Sequence, residues 1–325
     1  IKRTNISSYR AQRRGGRGVI GMTTASADRP EDDDFVEHLF TASTHDYLMF
    51  FTNTGRVYVE RVHEIPDMGR ASKGRSIANL LEMRPGEKVA ALIRIESKKD
   101  PQGVDTTWTS GGYVLFATQQ GTVKKTSLAD FQNCRKGGII AIGIEPTDNL
   151  IEVKLTSGQS EAVLITREGQ SIRFEESDVR SMGRPATGVR GISLEKDDLV
   201  VALAVVDTNA TLLVAGENGI GKRTKFDEYR TQSRGGKGII TMKTTDKTGR
   251  VVGALTVTDQ DEIMLLTQQG QMVRTPVKDI REAGRNTMGV KLINLTSGDK
   301  LTAIARVISE TDEPGAPDGE SGLNV

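Results

Sequence analysis

The stretch Gln12-Arg13-Arg14-Gly15-Gly16-Arg17-Gly18 packs three arginines and three glycines into seven positions without an acidic residue. Arginine carries a planar fork of donors that matches phosphate oxygens. Glycine lets the backbone approach a ligand closely and adopt positive φ. Successive amides in a glycine turn form a concavity that holds an anion. The chemistry on offer is phosphate binding. A tight turn on a solvated basic face uses the same residues, so the heptad alone does not decide between the two. Its surroundings extend the signal: from Ile1 to Thr24 the chain has six basic residues (Lys2, Arg3, Arg10, Arg13, Arg14 and Arg17) and no Asp or Glu.

The whole chain does not share this bias. Its 325 residues hold 44 Lys+Arg against 43 Asp+Glu. An anionic partner must therefore be recognised by where charge lies, not by its total. Acid collects between Asp28 and Glu37 and in the C-terminal tail. Cys134 is the single cysteine, which excludes an internal disulfide and a cysteine-based zinc site and suits a reducing cytoplasm. No apolar run approaches the ~18 residues of a membrane span. The chain opens on an isoleucine in the middle of a pattern, without the layout of a signal peptide, and reads as a fragment of a longer polypeptide.

The elements that would position the heptad come from a repeat. Hairpin glycines follow polar residues at Thr54-Gly55, Gln120-Gly121, Glu168-Gly169, Asn218-Gly219 and Gln269-Gly270, each preceded by an apolar strand such as Tyr113 to Ala117 or Thr211 to Val214. A second glycine recurs at Gly18, Gly74, Gly138, Gly188, Gly238 and Gly289, with spacings of 56, 64, 50, 50 and 51. Two more strands follow in each unit, the last of them at Val36 to Thr41, Val89 to Ile95, Ile151 to Leu155, Val200 to Val206, Val251 to Val257 and Leu301 to Ile308. Short Val-, Ile-, Leu- and Thr-rich strands at a period of about 50 residues predict an all-β, propeller-like ring of six four-stranded blades. The first copy lacks its opening strand, so the last strand is expected to complete that blade. The ring domain spans 1–308. Residues 309–325, acidic and rich in Gly and Pro, are expected to form a disordered tail.

Kelch blades need a recurring Trp and WD blades a Trp-Asp pair. This chain has Trp108 alone. What recurs is positive charge. Four residues past each hairpin glycine, extrapolated to the first unit, lie Arg3, Val59, Lys125, Arg173, Arg223 and Arg274, with Lys2, Lys124 and Lys222 one residue earlier. Equivalent positions of a ring share radius and height, so repeated charge predicts a belt. Edge strands also carry charge to prevent aggregation, but that device uses both signs.

With the heptad, the motifs Gly121-Thr122-Val123-Lys124-Lys125-Thr126, Thr187-Gly188-Val189-Arg190-Gly191-Ile192, Gly221-Lys222-Arg223-Thr224 and Gly284-Arg285-Asn286-Thr287 resemble the C-terminal domain family of DNA gyrase A, part of a type IIA topoisomerase. The resemblance covers Ile1 to about Ile308. It implies a six-bladed β-pinwheel with strands exchanged between neighbouring blades, and it makes Gln12 to Gly18 the gyrase-A box. It implies DNA binding by the box residues Gln12, Arg13, Arg14, Gly15, Gly16, Arg17 and Gly18. It extends this to a perimeter of Lys2, Arg3, Lys124, Lys125, Arg173, Arg190, Lys222, Arg223, Arg234, Lys237, Arg274 and Arg285. A chiral wrap of duplex DNA, used in ATP-dependent negative supercoiling, follows from the same resemblance. So do partners (double-stranded DNA, the rest of gyrase A, and gyrase B in an A2B2 enzyme) and a bacterial, nucleoid-associated location in the cytoplasm. ATP and magnesium would be bound elsewhere in the enzyme; no cofactor and no metal is expected in this chain. The related topoisomerase IV domain usually lacks an intact box, so the heptad favours gyrase. Gln232-Ser233-Arg234-Gly235-Gly236-Lys237-Gly238 is a degenerate echo of it. Val59-Glu60 breaks the charge pattern in the second repeat. A topoisomerase IV-type domain, or a propeller that scaffolds protein partners, are the alternatives.

Other chemistry is poorly supported. Gly216 to Lys222 nearly fits a P-loop, but Arg223 stands where Ser or Thr should bind magnesium, and the stretch falls in a hairpin. Gly16-Arg17-Gly18-Val19-Ile20-Gly21 matches a dinucleotide fingerprint with no amphipathic helix after it. Asp32-Asp33-Asp34 lacks calcium-loop spacing, and His38, His45 and His63 lack metal spacing. The family's cleaving tyrosine follows an arginine. Tyr9, Tyr47, Tyr58, Tyr113 and Tyr229 follow Ser, Asp, Val, Gly and Glu, so no catalytic residue and no intrinsic activity are expected. Aromatic residues, 4% of the chain, do not interleave with the basic ones, against single-strand stacking.

Overall fold

A computed structural model describes residues 1–5, 42–69, 72–134, 136–269 and 272–307. The heptad, Asp32-Asp33-Asp34, the strand expected at Val36 to Thr41 and residues 309–325 lie outside the described residues.

Nineteen strands run β1 (Tyr47–Thr52), β2 (Arg56–Arg61), β3 (Val89–Ile95), β4 (Tyr113–Thr118), β5 (Thr122–Ser127), β6 (Ile139–Ile140), β7 (Leu150–Thr156), β8 (Glu161–Thr166), β9 (Gln170–Glu175) and β10 (Val189–Arg190). They continue as β11 (Val200–Val205), β12 (Thr211–Gly216), β13 (Ile220–Lys225), β14 (Ile239–Ile240), β15 (Val251–Val257), β16 (Glu262–Thr267), β17 (Met272–Pro276), β18 (Val290–Lys291) and β19 (Leu301–Val307). They form antiparallel sheets in the orders β3-β1-β2-β6, β7-β4-β5-β10, β11-β8-β9-β14, β15-β12-β13-β18 and β19-β16-β17.

The number of blades is a correction. Six four-stranded blades were expected; the described residues form five sheets, four of four strands and one of three. Every sheet is built on the hairpin of one repeat, for example Leu213 opposite Arg223 across β12 and β13. The part of the first repeat among the described residues contains no hairpin. Its described residues add one isolated bridge, Arg3 with Asp67.

The two-residue strands explain the rest of the topology. β6, β10, β14 and β18 each follow a repeat's second glycine, yet each pairs with the hairpin of the preceding repeat: Val57 with Ile139, Val123 with Val189, Ser171 with Ile239, Gly221 with Val290. Strand exchange is thus present at every four-stranded sheet. The hairpin glycine acts as the socket. Gly169 sits at φ +81°, and a Cβ there would lie 2.2 Å from the Met242 carbonyl oxygen. Its own carbonyl accepts the amides of Thr241 and Met242, immediately after the exchanged strand. The second glycine fits equally closely: Gly238, at φ +80°, would bring a Cβ to 2.4 Å from the Ser171 carbonyl oxygen.

Packing follows from stacking sheets around an axis. The fourth strands β3, β7, β11, β15 and β19 lie next to one another in succession. Between neighbouring sheets lie separate apolar clusters, such as Phe51 and Ile93 against Phe116 and Phe131, and Leu213 and Val257 against Ile263 and Leu265. Adjacent residues Leu212 and Leu213 serve different clusters, so both faces of their sheet are buried. That is why the first strand of each repeat reads as a continuous apolar run and not as an alternation.

Candidate nucleic-acid interface

The repeated charges divide into two populations. One faces inward. Arg3, Lys125, Arg173 and Arg223 form isolated parallel bridges to Asp67, Ser181, Thr231 and Glu282 of the following repeat, which establishes their structural equivalence. Each cation caps backbone carbonyls there. Arg3 Nε donates to Ile65 O, Lys125 Nζ to Glu176 O at 3.0 Å, Arg173 Nη1 to Phe226 O at 2.7 Å and Tyr229 O at 3.1 Å, and Arg223 Nε to Ile280 O at 2.6 Å. The acceptors belong to one short 3-10 turn per repeat and the residues around it. Side-chain partners complete the sites: Glu161 for Arg173, Asp259 for Arg223, and the Tyr113 ring, its centre 5.0 Å from Lys125 Nζ.

One residue earlier the pattern tightens. Lys124 and Lys222 are fully buried. Lys124 Nζ donates to the carbonyls of Ala141 (2.6 Å) and Arg184, and Lys222 Nζ to those of Gly284 (2.6 Å) and Arg285 and to Thr287 Oγ1. Lys2 does the same to Gly69 and Ser72. Burial pulls both Lys124 and Lys222 down from 10.5 to about 8. These ammonium groups keep their charge near neutrality because each points at oxygens. They are committed to the frame and are not presented at the surface.

The second population faces outward. Arg190 and Lys291 occupy the exposed position of the exchanged strands β10 and β18. Arg234 and Arg285, each four residues before a second glycine, reach back to the previous exchanged strand: Arg234 Nη1 to Arg190 O at 3.1 Å, Arg285 Nη1 to Ile240 O at 2.7 Å. Lys237 is 82% exposed at its side chain, beside Glu195. Arg274, 55% exposed, pairs with Glu262.

In four repeats the seven residues that end two past the second glycine finish on an exchanged strand, β6, β10, β14 or β18. Across all six copies these windows (14–20, 70–76, 134–140, 184–190, 234–240 and 285–291) contain thirteen basic residues and no acidic one. In a chain balanced in charge overall, acid is absent from the outer strand and its approach. The signal was available in sequence, but the windows matter only once the exchanged strand is known to be outermost.

The family described as the DNA gyrase C-terminal domain, beta-propeller, matches this chain at 1–43, 46–96, 112–157, 160–207, 210–258 and 261–308. The chain belongs to this family. Five of the six matched segments supply the hairpins of the five sheets. Among relatives of the gyrase domain, the DNA gyrase A protein of Mycolicibacterium smegmatis is 42% identical over 313 residues, covering 96% of this chain and 35% of that protein. The DNA gyrase A protein of Haloquadratum walsbyi is 43% identical over 306 residues, covering 94% of this chain and 34% of that protein. The chain thus spans about a third of the length of these relatives. Two solved structures share its architecture. The C-terminal domain of DNA topoisomerase IV superposes with a TM-score of 0.75 at 28% identity, covering 94% of this chain and 89% of that one. A DNA gyrase A C-terminal domain gives 0.72 at 27%, covering 94% and 96%.

Within this gyrase domain the second repeat is the exception. Tyr58 replaces the buried lysine, and a Cβ on Gly138 would lie 2.7 Å from its ring. Arg56 ties the loop elsewhere, donating to the carbonyls of Gly137 and of the second glycine itself, Gly138. Glu60, buried next to the Val59 that stands at the cation position, is pushed up to about 7 by burial and by a hydrogen bond with Glu64. Cys134 is half-buried, and burial raises its thiol to about 11, which makes it unreactive. The stretch resembling a P-loop is the β12–β13 turn, and its Lys222 is the buried clamp described above. Among the described residues no group of three or more His, Cys, Asp or Glu could hold a metal ion, and no helix is long and apolar enough to cross a membrane.

Proposed function

We propose that the chain binds duplex DNA along its outer strands and bends it, as the wrapping part of a DNA gyrase A protein. The observation that carries this reading is the acid-free perimeter: the four windows that end on the exchanged strands carry basic residues and no acid, as do the sequence-equivalent windows of the first two repeats. The first window overlaps the heptad Gln12 to Gly18, which carries three arginines, and Arg190, Arg234, Lys237, Arg274 and Arg285 extend the surface. Lys2, Arg3, Lys124, Lys125, Arg173, Lys222 and Arg223 act one step back. They hold each loop against the preceding sheet and so set the curve that the duplex follows.

Bending a 20–30 bp duplex smoothly costs roughly 1–6 kcal/mol. Each neutralised phosphate releases counterions, so log K falls by about 0.9 per contact for each unit of log salt. Several arginine contacts offset the bend at low salt. Backbone contacts position a duplex without reading its bases, so binding is indifferent to sequence. In the whole enzyme, with the rest of gyrase A and with gyrase B, the bent segment is presented to a DNA gate with a fixed hand. ATP-driven strand passage, with nucleotide and magnesium bound elsewhere, then introduces negative supercoils in the bacterial cytoplasm.

Relaxing a circular plasmid with a topoisomerase while this chain is bound tests the reading. A shift in linking number is expected, and its absence would leave no chiral wrap. In the full enzyme, replacing Arg13, Arg14 and Arg17 by Ala should abolish supercoiling and spare relaxation. Supercoiling at the normal rate would overturn the role given to the heptad.

A further inference from the structure

The exchanged strands do not present charge alone. At the position where β10 and β18 expose Arg190 and Lys291, β6 and β14 expose Ile140 and Ile240, 48% and 38% accessible. Following the sheets in order, this outermost position reads Ile, Arg, Ile, Lys. Ile240 does not stand alone. Its carbonyl accepts Arg285 Nη1 at 2.7 Å. The loop carrying Arg285 is tied to the residues after β14 by Lys243 N to Thr287 O at 3.1 Å and by Thr245 Oγ1 to Met288 Sδ at 3.7 Å. Met288 is itself 37% exposed. One blade seam therefore offers two aliphatic side chains around an arginine.

Large exposed aliphatics on an outer edge are a liability for solubility, since edge strands normally carry charge. Nothing in the packing requires isoleucine here: Arg190 and Lys291 hold the same place on β10 and β18 and are exposed. A purely apolar protein partner would meet the cations on the intervening sheets. A surface that alternates cation and aliphatic suits a polyanion with apolar walls. The minor groove of duplex DNA has them, and DNA-binding proteins seat apolar side chains in it.

We infer that Ile140 and Ile240, the latter with Met288, are minor-groove contacts of the wrapped duplex, alternating with the phosphate contacts of Arg190 and Lys291. This rests on the reading of the perimeter as a DNA surface. The aliphatic contacts add affinity without salt dependence and fix where along the duplex the groove faces the protein.

The test compares the wild-type chain with I140S/I240S, I140M/I240M and, as a control on an exposed aliphatic of the inner strand β7, L155S. Plasmid DNA and a plain linear duplex serve as probes. The serine pair should bind roughly tenfold more weakly at fixed salt, give a smaller linking-number shift, and keep the slope of log K against log salt. The methionine pair and L155S should match the wild type. A serine pair that matches the wild type in affinity and linking number overturns the inference and leaves the phosphate surface standing. A wild-type chain without salt-dependent binding or a linking-number shift overturns both. Equal melting temperatures for all four chains are expected, and a serine pair that melts early would overturn the claim that these isoleucines serve a ligand.

Discussion

Lys222 and Arg285 are linked through the backbone: the buried ammonium of Lys222 donates to the Arg285 carbonyl, while the Arg285 guanidinium reaches the carbonyl of Ile240. An inward cation thus fixes the loop from which an outward cation is presented. The two populations of charge are layers of one device, in which the buried lysine sets the place of the exposed arginine without touching a ligand.

Lys222→Met should therefore act through the loop. It leaves the Gly284 and Arg285 carbonyls without their donor, at a cost of about 1–3 kcal/mol. Urea unfolding should show the loss in the midpoint, and hydrogen exchange should localise faster opening to residues 284–291. Lys124→Met should do the same at the loop around Arg184.

The pH dependence of those lysines has a definite sign. Both titrate near 8 in the folded chain against 10.5 ordinarily. Between pH 8 and 10.5 the unfolded chain binds more protons, so stability contributed by these sites rises with pH across that window. Subtracting the unfolding free energy of a K124M/K222M chain from that of the wild type, measured at pH 7.5 and pH 10, should give a larger difference at pH 10.

Glu60 has the opposite signature. Its folded value near 7, raised from 4.5, means that the folded chain holds the proton longer. Its contribution is present below about pH 4.5 and is lost as pH rises through 7. Glu60→Gln keeps a neutral hydrogen-bonding group in the site. A chain with that change should lose less stability than the wild type between pH 5 and pH 8, read by thermal melting.

Outward and inward cations should separate in salt titrations of duplex binding. Arg190→Ala and Arg285→Ala should each lower the slope of log K against log salt by about 0.9 if each neutralises one phosphate. Lys125→Met, by contrast, should change the folding midpoint and leave the slope unchanged.

The exchanged-strand glycines give a conformational test. Gly238→Ala places a methyl at φ +80° and 2.4 Å from the Ser171 carbonyl oxygen. A loss of about 1–3 kcal/mol is expected for the strained backbone. Gly183→Ala, where a Cβ would meet nothing within 4 Å, should be near neutral by the same unfolding measurement.

Much of the architecture was legible from residue spacing. The hairpins at Gly55, Gly121, Gly169 and Gly219 were readable because a turn glycine between apolar runs is a local signal. The count of blades was not. Six second glycines suggested six blades, whereas the described residues form five sheets, each built on a hairpin. The charge belt was half legible: Lys124, Arg173 and Arg223 repeat faithfully in sequence, but repetition reports equivalence and not direction. Ile140 and Ile240, hidden among ordinary apolar residues, had no sequence signal that set them on the rim.

What the amino-acid sequence determined by itself is local and periodic: where the chain turns, which runs are buried on both faces, and that cations recur at fixed distances from glycine. Only the tertiary structure decided which cations meet solvent. The strand after each second glycine crosses to the preceding sheet, so the residue opposite a hairpin belongs to another repeat. Burial of Lys222 depends on carbonyls some sixty residues away, at Gly284 and Arg285. A lysine beside such oxygens can be buried charged, and one without them cannot, so the direction of each repeated charge was settled by the partner that folding brought to it.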